Sequence, residues 1–178
     1  MDSSAWKNYL EEFVDPQLVD ISSLEQHREL DPQLWDGDKL NPEIVERLYL
    51  IAKEFFQSLR LDSGATMKDI ILTGSLAGYN WSDLSDIDLH ILLDFGEFDN
   101  FELIEDYFRQ KTSNWNRTHE ILIKGYEVEL YVQDSNEDHY ALGIYSIMND
   151  RFIRQPSKYR EKIDYGKIKQ KASDLMEQ

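Results

Sequence analysis

A chain of 178 residues with 41% hydrophobic and 12% aromatic residues can bury one ordinary core, is too short for two large domains, and is too apolar for wholesale disorder. It holds no cysteine, which excludes disulfides and thiolate metal sites, leaves oxygen and imidazole as the available metal ligands, and fits a reducing compartment. The formal net charge of −16 disfavours polyphosphate backbones unless cations intervene or basic residues cluster, and neither a signal sequence nor an apolar run of membrane-spanning length is visible, so a soluble cytoplasmic protein is expected.

In chain order, Trp6, Tyr9, Leu10, Phe13 and Val14 recur at helical spacing and predict a short amphipathic helix over 4–14, its aromatics serving packing. Residues 15–40 read as irregular. Asn41-Pro42-Glu43 is a helix start, with an Asn cap and proline at the first helical position. The helix it opens should run to about residue 60, with Ile44, Leu48, Ile51, Ala52, Phe55, Phe56 and Leu59 on one face. Two β-prone runs, 69–73 and 86–94, predict neighbouring strands, the first ending at Gly74-Ser75. Phe101, Ile104, Tyr107 and Phe108 predict a second helix from residue 99 onward. Residues 120–124 and 126–133 flank Gly125 and predict a hairpin turning at Lys124-Gly125. Residues 142–148 and 151–154 fit either another hairpin, around Asn149-Asp150, or a helix. From residue 156 to 178, six basic residues (Lys158, Arg160, Lys162, Lys167, Lys169, Lys171) stand against four acidic ones, the pattern of a solvated amphipathic helix. This order predicts an α+β fold, a mixed β-sheet with helices on one side. It divides into an N-terminal helix and irregular segment (1–40), a central domain (41–155) and a C-terminal helix (156–178).

Chemistry concentrates in Leu72-Thr73-Gly74-Ser75, a gap of ten residues, and Asp86-Ile87-Asp88-Leu89-His90. Side chains alternate along a strand, so Asp86 and Asp88 share one face while Ile87 and Leu89 turn to the core. Two carboxylates whose α-carbons lie about 6 to 7 Å apart repel each other and are best tolerated when cations neutralise them. Magnesium prefers carboxylate oxygens and keeps waters that substrate phosphates can replace. A third carboxylate on an adjacent strand would complete a two-metal clamp, and Glu127 and Glu129 share the right face of the 126–133 strand. Glu129 lies deeper, between Val128 and Leu130, and is chosen; Glu127 is the reserve. Gly74-Ser75 directly after a strand lets backbone approach a phosphate while hydroxyl and amides donate to its oxygens. Each element alone is commonly an ordinary turn or solvated edge; their joint order, gap and parity point to function.

At these residues the chain resembles the nucleotidyltransferase superfamily typified by DNA polymerase β and the kanamycin nucleotidyltransferases. That family has a strand ending in Gly-Ser, a variable gap, an Asp-x-Asp or Asp-x-Glu between apolar residues, and an acidic residue on a later strand. The resemblance covers roughly residues 66–133. It implies that Asp86 and Asp88 bind both metals, Mg2+ or Mn2+, and that Glu129 helps hold the one that activates the acceptor hydroxyl. It further implies that Gly74 and Ser75 cradle a nucleoside triphosphate, whose nucleoside monophosphate passes to the acceptor with release of pyrophosphate. Segments 74–88 and 127–134 also look similar to nucleotidyltransferases encoded by tailed bacteriophages. The acceptor's carrier stays open among small molecule, another nucleotide, protein side chain and nucleic-acid end, and the acidic charge weighs against long nucleic acid. One departure matters: many minimal antitoxin-type members carry an arginine soon after Gly-Ser, whereas residues 76–85 hold no basic residue. Metal, backbone amides or the distant Arg109, Lys111, Arg117 or Arg151 must then meet the triphosphate charge.

Rival motifs fail on spacing. In Gly74-Ser75-Leu76-Ala77-Gly78 the serine abuts the first glycine, which no nucleophile elbow allows. A calcium loop opening at Asp86 would need glycine at its sixth position, where Ile91 stands, and His119-Glu120 has no second histidine four residues on. His90 shares parity with the aspartates and reads as structural or solvated, and Tyr79 and Trp81 read as cover for the core edge in preference to base-stacking platforms. Two other functional classes remain as alternatives: a non-catalytic nucleotide-binding or antitoxin-like partner module, and an Asp-x-Asp glycosyltransferase, which leaves Gly74-Ser75 and Glu129 unexplained.

Overall fold

The computed structural model of the chain describes residues 26–61, 64–158, 164, 166–169 and 171. The helix expected over 4–14, with Trp6, Tyr9 and Phe13, lies outside them. Of the expected C-terminal helix, 166–169 and 171 are helical, with the Lys167 amide donating to Asp164 Oδ1 at 3.2 Å. Residues 156–158 are not helical; Lys158 donates to the Arg28 carbonyl at 3.2 Å and lies 4.8 Å from the Tyr79 ring. Residues Gln26–Lys158 form one compact unit. The expected boundary at 40/41 does not coincide with it, because Leu30, Leu34, Trp35 and Leu40 are buried in the same core as the elements that follow.

Residues 26–40, expected to be irregular, contain a small hairpin: β1 (Trp35–Asp36) pairs antiparallel with β2 (Lys39–Leu40) around Gly37, whose φ of 63° favours glycine. Two-residue strands are too short for alternation to show in a sequence. Helix α1 (Pro42–Ser58) follows, burying Ile44, Leu48, Ala52 and Phe55 at the recurrence of a 3.6-residue period. Its Asn41 makes no side-chain cap bond and donates to the Gln33 carbonyl, so the pre-set φ of Pro42 carries the start. Strands β3 (Asp69–Thr73) and β4 (Ile87–Leu93) come next. Helix α2 (Phe101–Thr118) starts at Asn100, whose Oδ1 accepts from the Leu103 amide at 3.1 Å. It is the more polar helix, burying Phe108 and Thr112, while Phe101, expected inward, is 45% exposed at its first turn. Both hairpins form: β5 (Leu122–Ile123) with β6 (Tyr126–Asp134), and β7 (Ile144–Ser146) with β8 (Arg151–Arg154). Lys124 and Gly125 both take positive φ, as a tight two-residue hairpin turn requires. No helix among the described residues is long and apolar enough to cross a membrane.

The six-stranded sheet runs β5-β6-β4-β3-β7-β8. Only β4 and β6 are parallel, and α2 lies between them in the chain, since parallel neighbours need a crossover. Ile70, Leu72, Ile87, Leu89, Ile91, Leu93, Val128 and Leu130 join the buried residues of α1 and α2 in one core. Each such side chain contributes about 1.5 to 3 kcal/mol on burial. The alternate residues of the same strands, Asp88, His90, Glu129 and Tyr131 among them, lie on the opposite face. A slip of one residue would drive those polar groups into the core, so the apolar face locks the register.

Candidate metal centre

The site is built by strand register. Thr73, the last residue of β3, pairs with Asp88 of β4, and Asp88 pairs with Glu129 of β6. These partners form one row across three strands, with Asp86 immediately before β4. Carboxylate oxygens of Asp86, Asp88 and Glu129 all lie within 4.8 Å of one another, each residue half-buried. Glu127 is exposed, pairs with Leu122 on the β5 side and is not one of the clustered residues. Of the two candidates for third carboxylate, Glu129 is the one brought to the aspartates.

Gly74 follows β3 with φ 72° and ψ −161°, a conformation open essentially to glycine alone. A Cβ there would stand 1.8 Å from Asp88 Oδ2. The glycine therefore makes room for the Asp88 carboxylate, a direct reason for its presence beside the aspartates. Ser75 opens a 3-10 turn (Ser75–Ala77), and its hydroxyl donates to Ser85 Oγ at 2.7 Å. Ser85 Oγ also accepts from the Ser82 amide at 2.9 Å, so its own proton is left to donate onward. Ser75 thus ties the start of the ten-residue gap to its end, and Ser85, which sequence reasoning passed over, carries the hydroxyl donor next to Asp86.

Burial pushes the Asp88 carboxyl up from an ordinary 3.8 to about 6, and repulsion from Asp86 and Glu129 adds to it. The cluster is therefore short of positive charge. Ligand oxygens on opposite sides of one magnesium ion lie about 4.2 Å apart; a trio within 4.8 Å needs only small side-chain movement to share such ions. The all-oxygen donor set suits magnesium or manganese, and these residues fit the metals that the sequence implies.

Glu129 has a further partner that sequence reasoning missed: the Tyr131 hydroxyl donates to its Oε2 at 2.5 Å. The available signal was parity, because Tyr131 lies two residues along the same strand. Burial, followed by that bond to Glu129, raises the Tyr131 phenol well above its ordinary value. His90 pairs with Tyr131 across β4 and β6, and their rings stack at 4.9 Å. Burial lowers the His90 imidazole to about 4, so it is neutral near pH 7, and its Nδ1 lies 3.0 Å from Gln133 Oε1. It packs against Tyr131 on the face of the sheet that carries the carboxylates.

Trp81 stacks on His27 at 3.7 Å and donates to the Glu29 carbonyl, while both Tyr79 and Trp81 pack against the core, again the packing reading. The four distant cations do not converge on the cluster. Arg109 pairs with Glu105 and Asp106, Lys111 sits over Tyr107 and Arg117 bonds Asn114, all on α2, whose inward side packs on the other face of the sheet. Arg151 lies on the far edge strand β8. No family model matches the chain, and no curated protein or solved structure is significantly similar to it.

Proposed function

We propose that the protein is a metal-dependent nucleotidyltransferase with a nucleotidyltransferase-like fold. It moves a nucleoside monophosphate from a nucleoside triphosphate to an acceptor hydroxyl and releases pyrophosphate. The observation that carries this reading is the convergence of Asp86, Asp88 and Glu129 within 4.8 Å, beside a glycine whose missing side chain is required by Asp88. A structural carboxylate pair needs neither a third acid nor that glycine.

Asp86, Asp88 and Glu129 hold the divalent ions, which when bound neutralise phosphate charge and make the acceptor hydroxyl more acidic. The acceptor oxygen bonds to the α-phosphorus as the α–β bridging bond breaks, pyrophosphate leaves with the electron pair, and a carboxylate of the cluster takes the hydroxyl proton. Backbone amides around Gly74-Ser75 and the Ser85 hydroxyl donate to phosphate oxygens. The absence of basic residues from positions 76–85 makes the protein's charge balance depend on the ions.

The test is incubation with each α-labelled nucleoside triphosphate, magnesium or manganese, and cell extract, followed by identification of what becomes labelled and by assay of pyrophosphate. Transfer of label with stoichiometric pyrophosphate is expected. Turnover of a nucleotide sugar to a nucleoside diphosphate, with no triphosphate consumed, would establish the glycosyltransferase reading instead. Nucleotide binding without any turnover would establish the partner module.

A further inference from the structure

Of the three clustered carboxylates, Glu129 has the longest side chain and the most rotamer freedom to lose on ordering. Asp88 is confined by the close approach of Gly74. Glu129 is restrained by a hydrogen bond, the Tyr131 hydroxyl donating to its Oε2 at 2.5 Å. Tyr131 is itself braced from the neighbouring strand: the His90 ring stacks on it at 4.9 Å and 26°, and His90 Nδ1 lies 3.0 Å from Gln133 Oε1. Glu129, Tyr131 and Gln133 occupy alternate positions of β6 and share one face, with His90 the register partner of Tyr131. Tyr131 is 36% exposed, so core packing does not explain its hydroxyl, which water could satisfy. What the hydroxyl does hold is one oxygen of a carboxylate in the cluster.

We infer that Tyr131 is a positioning residue for the metal centre: its hydroxyl, steadied by His90 and Gln133, fixes the Glu129 carboxylate in the orientation that binds a divalent cation. This rests on the metal reading proposed above. Outer hydrogen bonds to metal-binding carboxylates typically govern affinity by about 10- to 100-fold, because they remove the cost of ordering the ligand when the ion arrives.

The experiment is titration of the full chain with manganese alone, without nucleotide, by calorimetry and by the EPR signal of free ion. The proteins are the natural chain, Tyr131→Phe, Glu129→Gln and the double variant, each also melted metal-free. Tyr131→Phe should weaken manganese binding about 10-fold with the metal-free melting temperature unchanged, and should add nothing once Glu129 is already Gln. His90→Ala, which removes the brace and keeps the hydroxyl, should weaken binding by a smaller factor. Unchanged affinity in Tyr131→Phe, or a loss that persists in full in the Glu129→Gln background, overturns the positioning role while leaving the metal centre standing. A natural chain that binds no manganese overturns the metal centre itself, and the role of Tyr131 with it.

Discussion

On the central strands β4 and β6, two chemistries alternate residue by residue. Ile87, Leu89, Ile91 and Leu93 are almost fully buried toward α1 and α2. Asp88 and His90, each one peptide away, lie on the other side with Glu129, all three half-buried and polar, and with the exposed Tyr131. On that face the apolar cluster is small, formed by Ile71, Leu92 and Ile144 with Ala141 against it. The helix-covered face supplies stability and register, and the opposite face uses that register to hold three like charges together at a cost to the fold. Each face is explained by the other: without the first, the carboxylates would have no fixed spacing, and without the second, nothing would ask the spacing to be kept.

The largest expected effect breaks the carboxylate face alone. Asp88→Asn and Glu129→Gln should each lower turnover on the order of 10^3-fold, through lost electrostatic stabilisation of the transition state, with circular dichroism and metal-free melting showing an intact fold. Magnesium, as a ligand of the native state, should raise the melting temperature of the natural chain, and that rise should vanish in Asp88→Asn and shrink in Glu129→Gln.

Breaking the helix face should do the reverse. Leu89→Ala, at a position with no exposed surface, should cost about 2 to 5 kcal/mol in urea unfolding. His90→Ala, the next residue along, should cost well under that in the same measurement. Equal losses from the two would show that the faces are not divided as described.

Gly74→Ala joins the faces, since it strains the backbone at φ 72° and sends a methyl into the Asp88 carboxylate. A stability loss of about 1 to 3 kcal/mol, together with weakened manganese binding, is the expected result. Retention of both properties would mean that Asp88 can move away without consequence.

A smaller effect sharpens the comparison through pH. With Asp88 titrating near 6 in the fold and 3.8 ordinarily, the native chain binds more protons than the unfolded chain between those values. Metal-free stability therefore falls as pH rises from about 4 to about 6 and stays low above, by about 1 to 2 kcal/mol once solvent screening is allowed for. Unfolding in EDTA at pH 4.5 and pH 7 reads this, and magnesium or Asp88→Asn should flatten the slope. The smallest effect is that of Glu127→Gln, whose carboxylate is exposed and outside the cluster. Its turnover and metal affinity should match the natural chain, and a large loss would mean that β6 supplies its third ligand two residues earlier.

Much of this molecule was readable from its residues. The start and inward face of α1, the strands β3 and β4, and the Lys124-Gly125 hairpin each follow from local periodicity and turn chemistry, which depend on neighbours a few residues away. The β1–β2 hairpin escaped notice because two-residue strands carry no period. The inclusion of 26–40 in the core did so because Leu30, Leu34 and Trp35 are buried by elements distant in the chain. Alternation put Asp86 with Asp88 and Glu127 with Glu129, and motif order brought Gly74-Ser75 to the same site.

By itself, the sequence determined which residue types and parities were available: two aspartates on one face, two glutamates on another strand's face, and a glycine before them, since side-chain alternation is a property of each strand alone. The parallel pairing of β4 with β6 was decided by tertiary structure, and with it the choice of Glu129 over Glu127. So were the wedge of Gly74 against Asp88 and the grip of Tyr131 on Glu129, where β6 supplies the bond and β4 the brace. Those outcomes depend on how far one strand slides along another, and that offset is set by burying Ile87, Leu89, Val128 and Leu130 against two helices at once, a balance that no short stretch of chain contains.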